Sequence, residues 1–303
     1  MSTIPEFPIF KNIELSDETE IKQFINICKF PPYADYNFIN IWTWDINSKM
    51  MVSKLNTNLI VIFNDYVTNK QFLSFFGKNL IPETVAMLID YSVSNFQINE
   101  LKLLPEEISS ELAKSEYKIT RDRDSCDYIY SVKDLANMNN WPKSDNHYKS
   151  VNKFINLNPD YRIECSCIND VDKNKFFVMF KKWSENKEIV NHFDLNEYKS
   201  FERLFEINDE NTRIISLYIG NILLGFTVFE ILPNEYAVAH FSKADIKLHQ
   251  GIYDILIWEE AKYLNNLRIK YYDFEQDLGI PGIRFSKESF KPVFMLNKFT
   301  VSR

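Results

Sequence analysis

Apolar residues recur at helical spacing over Asp17–Cys28, where Ile21, Phe24, Ile25 and Cys28 form one stripe and Ser16 or Asp17 supplies the N-cap. Pro31-Pro32 breaks the chain, and Phe38–Trp44 follows with Phe38, Ile41 and Trp42 on one helical face. The pattern then changes. Met50–Phe63 holds two β-rich runs around Asn56-Thr57-Asn58, a hairpin signal without glycine, and Gln71–Gly77 reads as a further strand. Residues 82–95 predict a helix with Pro82 in its first turn, Gln97–Leu104 a strand and Pro105–Lys114 a second Pro-initiated helix. Tyr117–Arg123 and Asp127–Val132 predict two strands or one broken strand. This alternation of strands and helices predicts a mixed α/β fold.

The polar segment Asn137–Asp145 is the best boundary, dividing the chain into residues 1–140 and 141–303. Beyond it, Tyr161–Ser166 reads as a strand and Asp170–Asn186 as a helix that buries Phe176, Phe177, Phe180 and Trp183. Leu195–Phe205 is a second helix, and Arg213–Ile219 and Leu223–Leu232 make a hairpin across Gly220-Asn221. A strand at Tyr236–Lys243, a long helix at Gln250–Leu264, a strand at Tyr271–Asp277 and a last strand at Val293–Val301 complete the order.

Chemistry concentrates between residues 271 and 292. Here a strand of alternating aromatics and acids runs into Gly279-x-x-Gly282 and a short basic helix, bringing Glu275, Asp277, Arg284 and Lys287 into one segment. Strand-to-helix turns of this kind are where α/β proteins place ligand groups. On residue types alone, charges that merely pair with one another are the favoured reading.

The run Asp273-Phe274-Glu275-Gln276-Asp277-Leu278-Gly279-Ile280-Pro281-Gly282-Ile283-Arg284-Phe285-Ser286-Lys287, closing at Pro292, resembles N-x-E-x-D-L-G-x-x-G-L-R-x-x-K-x-x-x-x-P, the signature of the phosphatidylglycerol lysyltransferase C-terminal-like domain family. Further partial matches lie at Phe38, Asn40 and Trp44, at Asp127–Ala136, at Lys243-Ala244-Asp245, and at Asn152-Lys153-Phe154 with Pro159-Asp160-Tyr161. The residues at 38–44 read more simply as aromatic core. The resemblance implies two acetyltransferase-like (GNAT) domains in tandem, with a donor held where two central strands of the second domain splay apart. It implies an acyl- or aminoacyltransferase whose donor is an acyl-coenzyme A or a charged tRNA, with an unidentified small-molecule or lipid-head-group acceptor. On this analogy Glu275 orients or deprotonates the acceptor and Lys243 polarises a carbonyl, without an acyl-enzyme. Asp277, Arg284, Lys287, Lys149, Asn152 and Lys153 contact substrate, and Gln250 and Gly251 lie at the position of the acetyltransferase pyrophosphate loop. Outside any family motif, Glu230 at the end of its strand is a second base candidate, and Asp277, next to the glycine turn, is expected to cap the helix that follows it.

Two departures keep a second expectation open, a non-catalytic binding or regulatory protein on the same scaffold. The family's Lys-Arg pair falls on His147-Tyr148, and only one glycine marks the phosphate loop, which disfavours coenzyme A. A cleft plugged by its own side chains would favour the binding protein, and an open, electropositive cleft would count against it.

The 303 residues carry a net charge of −7, which argues against coating nucleic acid through the overall field but leaves room for a local basic patch that meets tRNA. The N-terminus lacks the pattern of a secretion signal, and no apolar run reaches the roughly 18 residues of a membrane helix. A cytosolic location is therefore expected, and the absence of the membrane portion that precedes this domain in the lysyltransferases proper disfavours a lipid acceptor. Cys28, Cys126, Cys165 and Cys167 read as reduced structural thiols. His147, His192, His240 and His249 are too dispersed in sequence to argue a Ser–His–Asp arrangement or a metal site.

Overall fold

The computed structural model describes residues 2–65, 70–186 and 192–303, without the side chains of 192–195; His192 therefore lies outside the described side chains. The chain opens with β1 (Lys11–Asn12), α1 (Glu18–Cys28), a 3-10 turn at Ala34–Tyr36 and α2 (Phe38–Trp44). Strands β2 (Met51–Leu55), β3 (Asn58–Asn64) and β4 (Gln71–Phe76) extend an antiparallel sheet in the order β1-β2-β3-β4. All of β3 is buried: Leu59, Val61 and Phe63 face one core, Ile60 and Ile62 another, as a central strand covered on both faces requires. Then come α3 (Ile81–Phe96), β5 (Glu100–Pro105), α4 (Glu106–Glu111), β6 (Lys118–Arg121), β7 (Asp127–Ser131) and α5 (Val132–Ala136).

The rest of the chain contains α6 (Asn146–Leu157), β8 (Arg162–Cys167), α7 (Lys173–Glu185), α8 (His192–Leu204), β9 (Thr212–Ile219), β10 (Ile222–Leu232), β11 (Tyr236–Ala244), α9 (Ile252–Asn266), β12 (Tyr271–Asp273), α10 (Pro281–Ser289), β13 (Phe294–Leu296) and β14 (Lys298–Ser302). Seven strands form the main sheet in the order β13-β7-β12-β11-β10-β9-β8. Its apolar faces are covered by α5, α6 and α9 on one side and by α7, α8 and Ile39 of α2 on the other. The β9–β10 hairpin turns through Gly220, whose φ of 55° lies in the left-handed region that glycine adopts without strain.

Strand pairing crosses residue 140 in two places. β7 pairs with β12 and β13, while β14 leaves the main sheet to lie between β5 and β6. The single last strand expected over 293–301 is thus two strands in two sheets, parted at Asn297. Pairing partners more than a hundred residues away decide that break, and no local pattern records it.

The expected strand at 271–277 also ends early, at Asp273. Glu275 and Leu278 take left-handed φ values of 59° and 56°, which turn the chain out of regular strand geometry. β11 and β12 run parallel only at Tyr236↔Tyr271, Ala237↔Tyr272 and Val238↔Asp273, and beyond this point β11 continues alone.

Candidate functional site

The parting of β11 and β12 opens a cavity of about 670 Å³. Ala239 to Lys243 of β11 line one side and Phe274 to Gln276 the other; α2, α9 and α10, the β3–β5 side with Phe63, Phe72 and Leu103, and His147, Trp183 and Glu197 of α6, α7 and α8 contribute further walls.

Helix α2 is aimed at this gap by its own cap. Asn37 Oδ1 accepts from the backbone N–H groups of Ile39 and Asn40 at 2.8 and 3.3 Å, and Asn37 Nδ2 donates to Glu230 Oε2 at 2.5 Å. Its far end is clamped to α8: Arg203 Nε donates to Trp42 O at 2.8 Å and the guanidinium lies 4.0 Å from the Trp42 ring. The helix thereby presents Asn40, whose Nδ2 donates to Glu275 Oε1 at 2.7 Å and to Ala34 O at 3.0 Å. With both amide protons used, Asn40 Oδ1 accepts from His240 Nδ1 at 3.0 Å.

His240 owes its place to a bulge. Val228 pairs with Phe241 and Phe229 with Ala239, so His240 is the extra residue of β11 and is turned toward α2. Its ring is buried, 3.7 Å from both Glu230 Oε2 and Glu275 Oε1, distances of ion pairing rather than hydrogen bonding, and Nε2 has no hydrogen-bond partner. Burial alone would lower its pKa, but Glu230 and Glu275 outweigh burial and raise it to about 9. A positive charge therefore sits behind Asn40 and Glu275 at neutral pH. Lys22 adds a second, 3.6 Å from Glu230 Oε1.

The residues singled out from sequence fall into three places. Glu275, Lys243 and Lys287 line the cavity. Glu275 is partly open to it, and its backbone N–H donates to Asp273 Oδ1 at 2.6 Å, which holds the left-handed turn. Lys243 lies against the rings of Phe180 and Trp183, 5.0 and 4.1 Å from their centroids, and donates to Glu197 Oε1 at 2.6 Å. Lys287 donates to the carbonyls of Phe274 and Gln276, both at 2.5 Å, and burial lowers its pKa despite the carboxylates around it. It ties α10 to the strand end that carries Glu275.

Asp277 and Arg284 lie behind the wall. Asp277 is fully buried and accepts from Arg123, Arg284, Tyr128 and the Gly279 N–H; although burial works the other way, these donors hold its pKa well below the usual carboxylate range. The cap expected of Asp277 is not made: the N-cap of α10 is Ile280, because two residues of turn separate Asp277 from it. Gly279 is required there, since its φ is 71° and a Cβ would stand 2.7 Å from Asp124 Oδ2.

The third place is the contact of α6 with the start of α9. Lys149 is exposed, Asn152 donates to Tyr148 O at 2.7 Å, Lys153 reaches Gln250 Oε1 at 3.3 Å, and Gly251, with a φ of 84°, faces Ser150 so closely that a Cβ would lie 2.5 Å from its Oγ. None of these five residues lines the cavity. Glu230 stands beneath His240 and is 2% exposed.

Sequence reasoning noted Asn40 only as part of an aromatic segment and set His240 aside with the dispersed histidines. Asn37 and Asn40, three apart at a helix start, were the available signal for the first. Nothing local signals a bulge at His240.

The cavity floor carries one more acid. Glu260 of α9 is 1% exposed; Thr227 Oγ1 reaches its two oxygens at 3.3 and 3.4 Å, and the Tyr272 hydroxyl lies beside it without completing a hydrogen bond. Burial pushes its pKa up to about 8, tempered by Tyr272 and Thr227. A folded value above the unfolded 4.5 means that the stability it contributes is complete below about pH 4.5 and is lost as pH rises through about 8. His240 acts in the same direction, its contribution complete below pH 6.5 and lost through about pH 9. These two groups are therefore expected to make stability decline between about pH 4.5 and 9, and Glu260→Gln, a neutral isostere, to flatten the part of the decline below about pH 8 and melt above the parent at about pH 9. An unchanged slope in the variant would refute the assignment.

Residues 29–302 match the family described as phosphatidylglycerol lysyltransferase, C-terminal. The chain belongs to that family. A conserved protein of unknown function from Bacteroides thetaiotaomicron superposes with a TM-score of 0.81 at 23% identity, covering 97% of this chain and 98% of that one. L-PGS from Bacillus licheniformis superposes with a TM-score of 0.62 at 10% identity, covering 95% and 92%. An uncharacterized protein of Mycoplasmoides gallisepticum is 26% identical over 208 residues, which span 64% of this chain and 62% of that protein. The fold is mixed α/β and is shared with the solved C-terminal domain of a putative lysylphosphatidylglycerol synthetase from Agrobacterium fabrum, at a TM-score of 0.63 and 10% identity over 95% of this chain and 92% of that one. Among the described residues no helix is long and apolar enough to cross a membrane.

Proposed function

We propose that the chain is an aminoacyltransferase that moves an aminoacyl group from the ester of a charged tRNA to an acceptor nucleophile, with the reacting ester in the cavity between β11 and β12. Family membership supports transfer of this general kind. The observation that carries the choice of donor is the charge of the cavity wall. Asp35, Asp65, Glu197, Asp254 and Glu275 face it against Lys243, Lys287 and the His240 cation, while burial keeps Glu260 protonated at neutral pH. Lys243 is paired with Glu197 and Lys287 with backbone carbonyls. Such a wall favours the ammonium group that every aminoacyl ester carries and repels the pyrophosphate of an acyl-coenzyme A. The close approach of Ser150 to Gly251 at the start of α9 argues the same way. The cavity is open rather than plugged, as the enzyme reading expects, but its wall is acidic and not the electropositive one expected with it.

In this reading Glu275, oriented by Asn40, takes the proton of the acceptor as it attacks the ester carbonyl, and Lys243 stabilises the developing oxyanion. Collapse expels the ribose hydroxyl, which recovers the proton. His240 is a positioning residue, keeping positive charge behind Glu275 and fixing Asn40. Lys149 and Lys153, exposed on α6, are the groups offered to the polynucleotide outside the cavity. Lipid, peptide and small-amine acceptors all fit the chemistry.

The test incubates the protein with tRNA charged with labelled amino acids, or with labelled acetyl-coenzyme A, in the presence of amine and hydroxyl acceptors. Label is expected to leave the tRNA and appear in an acceptor, with none transferred from acetyl-coenzyme A. Transfer from the thioester alone, or from neither donor, would overturn the proposal.

A further inference from the structure

Beside the Glu275 wall, the structure assembles a second constellation from three separate helices. His147, near the start of α6, has Nδ1 2.7 Å from Asp254 Oδ1 of α9 and Nε2 2.9 Å from Ser289 Oγ at the end of α10. The imidazole is stacked on Phe290 at 3.8 Å between centroids, with the edge of Trp141 at 6.1 Å, so its plane is fixed. His147, Asp254, Ser286 and Phe290 all line the cavity, which places the serine at its rim. We propose that Ser289 is an acylatable nucleophile and that the protein has a serine-esterase activity toward small carboxylic esters, distinct from the transfer assigned to Glu275.

The chemistry follows from the order of contacts. An ionised Asp254 accepts the Nδ1 proton, which leaves the Nε2 lone pair for the Ser289 hydroxyl. Ser289 Oγ also lies 2.6 Å from Ser286 O, so its one proton has two acceptors, and rotation toward Nε2 gives the reactive form. Oγ attacks the ester carbonyl and passes its proton to Nε2. The tetrahedral adduct expels the alcohol, which takes that proton, leaving an acyl-serine. Water repeats the sequence through the same imidazole, releasing the carboxylic acid and restoring the hydroxyl. The balance is ester plus water to acid plus alcohol, with no other reactant. Asp254 and His147 are held in place by the packing of α6 on α9, so the relay does not depend on a substrate to form.

A fluorophosphonate probe and p-nitrophenyl acetate test this on the full chain. The expected result is a probe adduct mapped by mass spectrometry to Ser289 and ester hydrolysis above background. Both should be abolished in Ser289→Ala, and hydrolysis lowered about 100- to 10,000-fold in His147→Gln. Asp254→Asn should lower hydrolysis as well, through the wrong tautomer. Melting curves of the three variants establish that they are folded; Ser289→Ala removes a single oxygen and is the decisive one. Absence of an adduct, an adduct elsewhere, or hydrolysis that survives Ser289→Ala would overturn the proposal and leave His147 as a structural tie between three helices. Labelling is read without any tRNA, so it is decided independently of whether aminoacyl transfer occurs.

Discussion

Glu275→Gln is expected to lower aminoacyl transfer by about 100- to 10,000-fold, the usual contribution of a positioned general base. The protein should remain folded. The amide oxygen of the variant can still accept from Asn40 Nδ2, now at 2.7 Å from the carboxylate, and the left-handed backbone is held independently by Asp273 through the 275 N–H. What disappears is basicity and the negative charge 3.7 Å from the His240 ring. A purely structural role for Glu275 would predict the opposite pairing, a lower melting temperature with activity per folded molecule retained. Single-turnover transfer measured beside a melting curve distinguishes the two, because the first outcome moves only the rate. A variant that transfers at the parental rate would remove Glu275 from the mechanism. A non-glycine residue held at a φ of 59° at the edge of a cavity is the kind of position where such a role is found.

How much of this could be read from the chain depends on the range of the interaction. The stripe Ile21, Phe24, Ile25 and Cys28, the hairpin across Gly220-Asn221 and the long helix before the signature are local, and helical or alternating periodicity reports them directly. Glu275 was named from the signature and Lys243 from the Lys243-Ala244-Asp245 match, and both side chains line one cavity. Asn40 was visible only as part of an aromatic segment; its partners Glu275 and His240 lie 235 and 200 residues away. His240 depends on a register shift between two strands, and residue identity carries no mark of it. Asp277 was read as a helix cap because aspartate before a helix usually is one. In the structure its carboxylate is held instead by Arg123, Arg284 and Tyr128, two of them from a segment more than a hundred residues earlier. The Ser289–His147–Asp254 alignment has the same origin, three helices converging from positions 142 and 107 residues from His147.

Lys298→Met is expected to cost about 3–5 kcal/mol of stability, as when one partner of a buried ion pair is removed. Lys298 is fully buried, with Nζ 2.6 Å from Asp127 Oδ1 and against Asp35 Oδ2. Burial by itself would lower its pKa, but Asp127 and Asp35 raise it, so it is charged. The acids it serves are crowded: burial pushes Asp127 and Asp273 upward, Asp35 raises Asp127 further and Asp127 raises Asp273, while Lys298 pulls both down. Without the ammonium their pKa values rise further. The sign follows: a raised folded value gives stability that is present at low pH and lost as pH rises, so the defect should be small near pH 4 and grow toward neutrality. Urea unfolding of parent and variant across about pH 4–8 measures it, and a defect independent of pH would mean that lost packing, not charge, is responsible. Adding Asp127→Asn should recover part of the loss, since removing both partners of a buried pair costs far less than removing one. The cluster also supports the site: Asp127 Oδ2 accepts from Ala34 N at 3.1 Å, Ala34 O accepts from Asn40, and Asp273 holds the Glu275 N–H. Lys298→Met should therefore reduce transfer beyond its effect on the folded fraction, because the carboxylates that position α2 and the Glu275 turn lose the buried ammonium that pairs with Asp35 and Asp127.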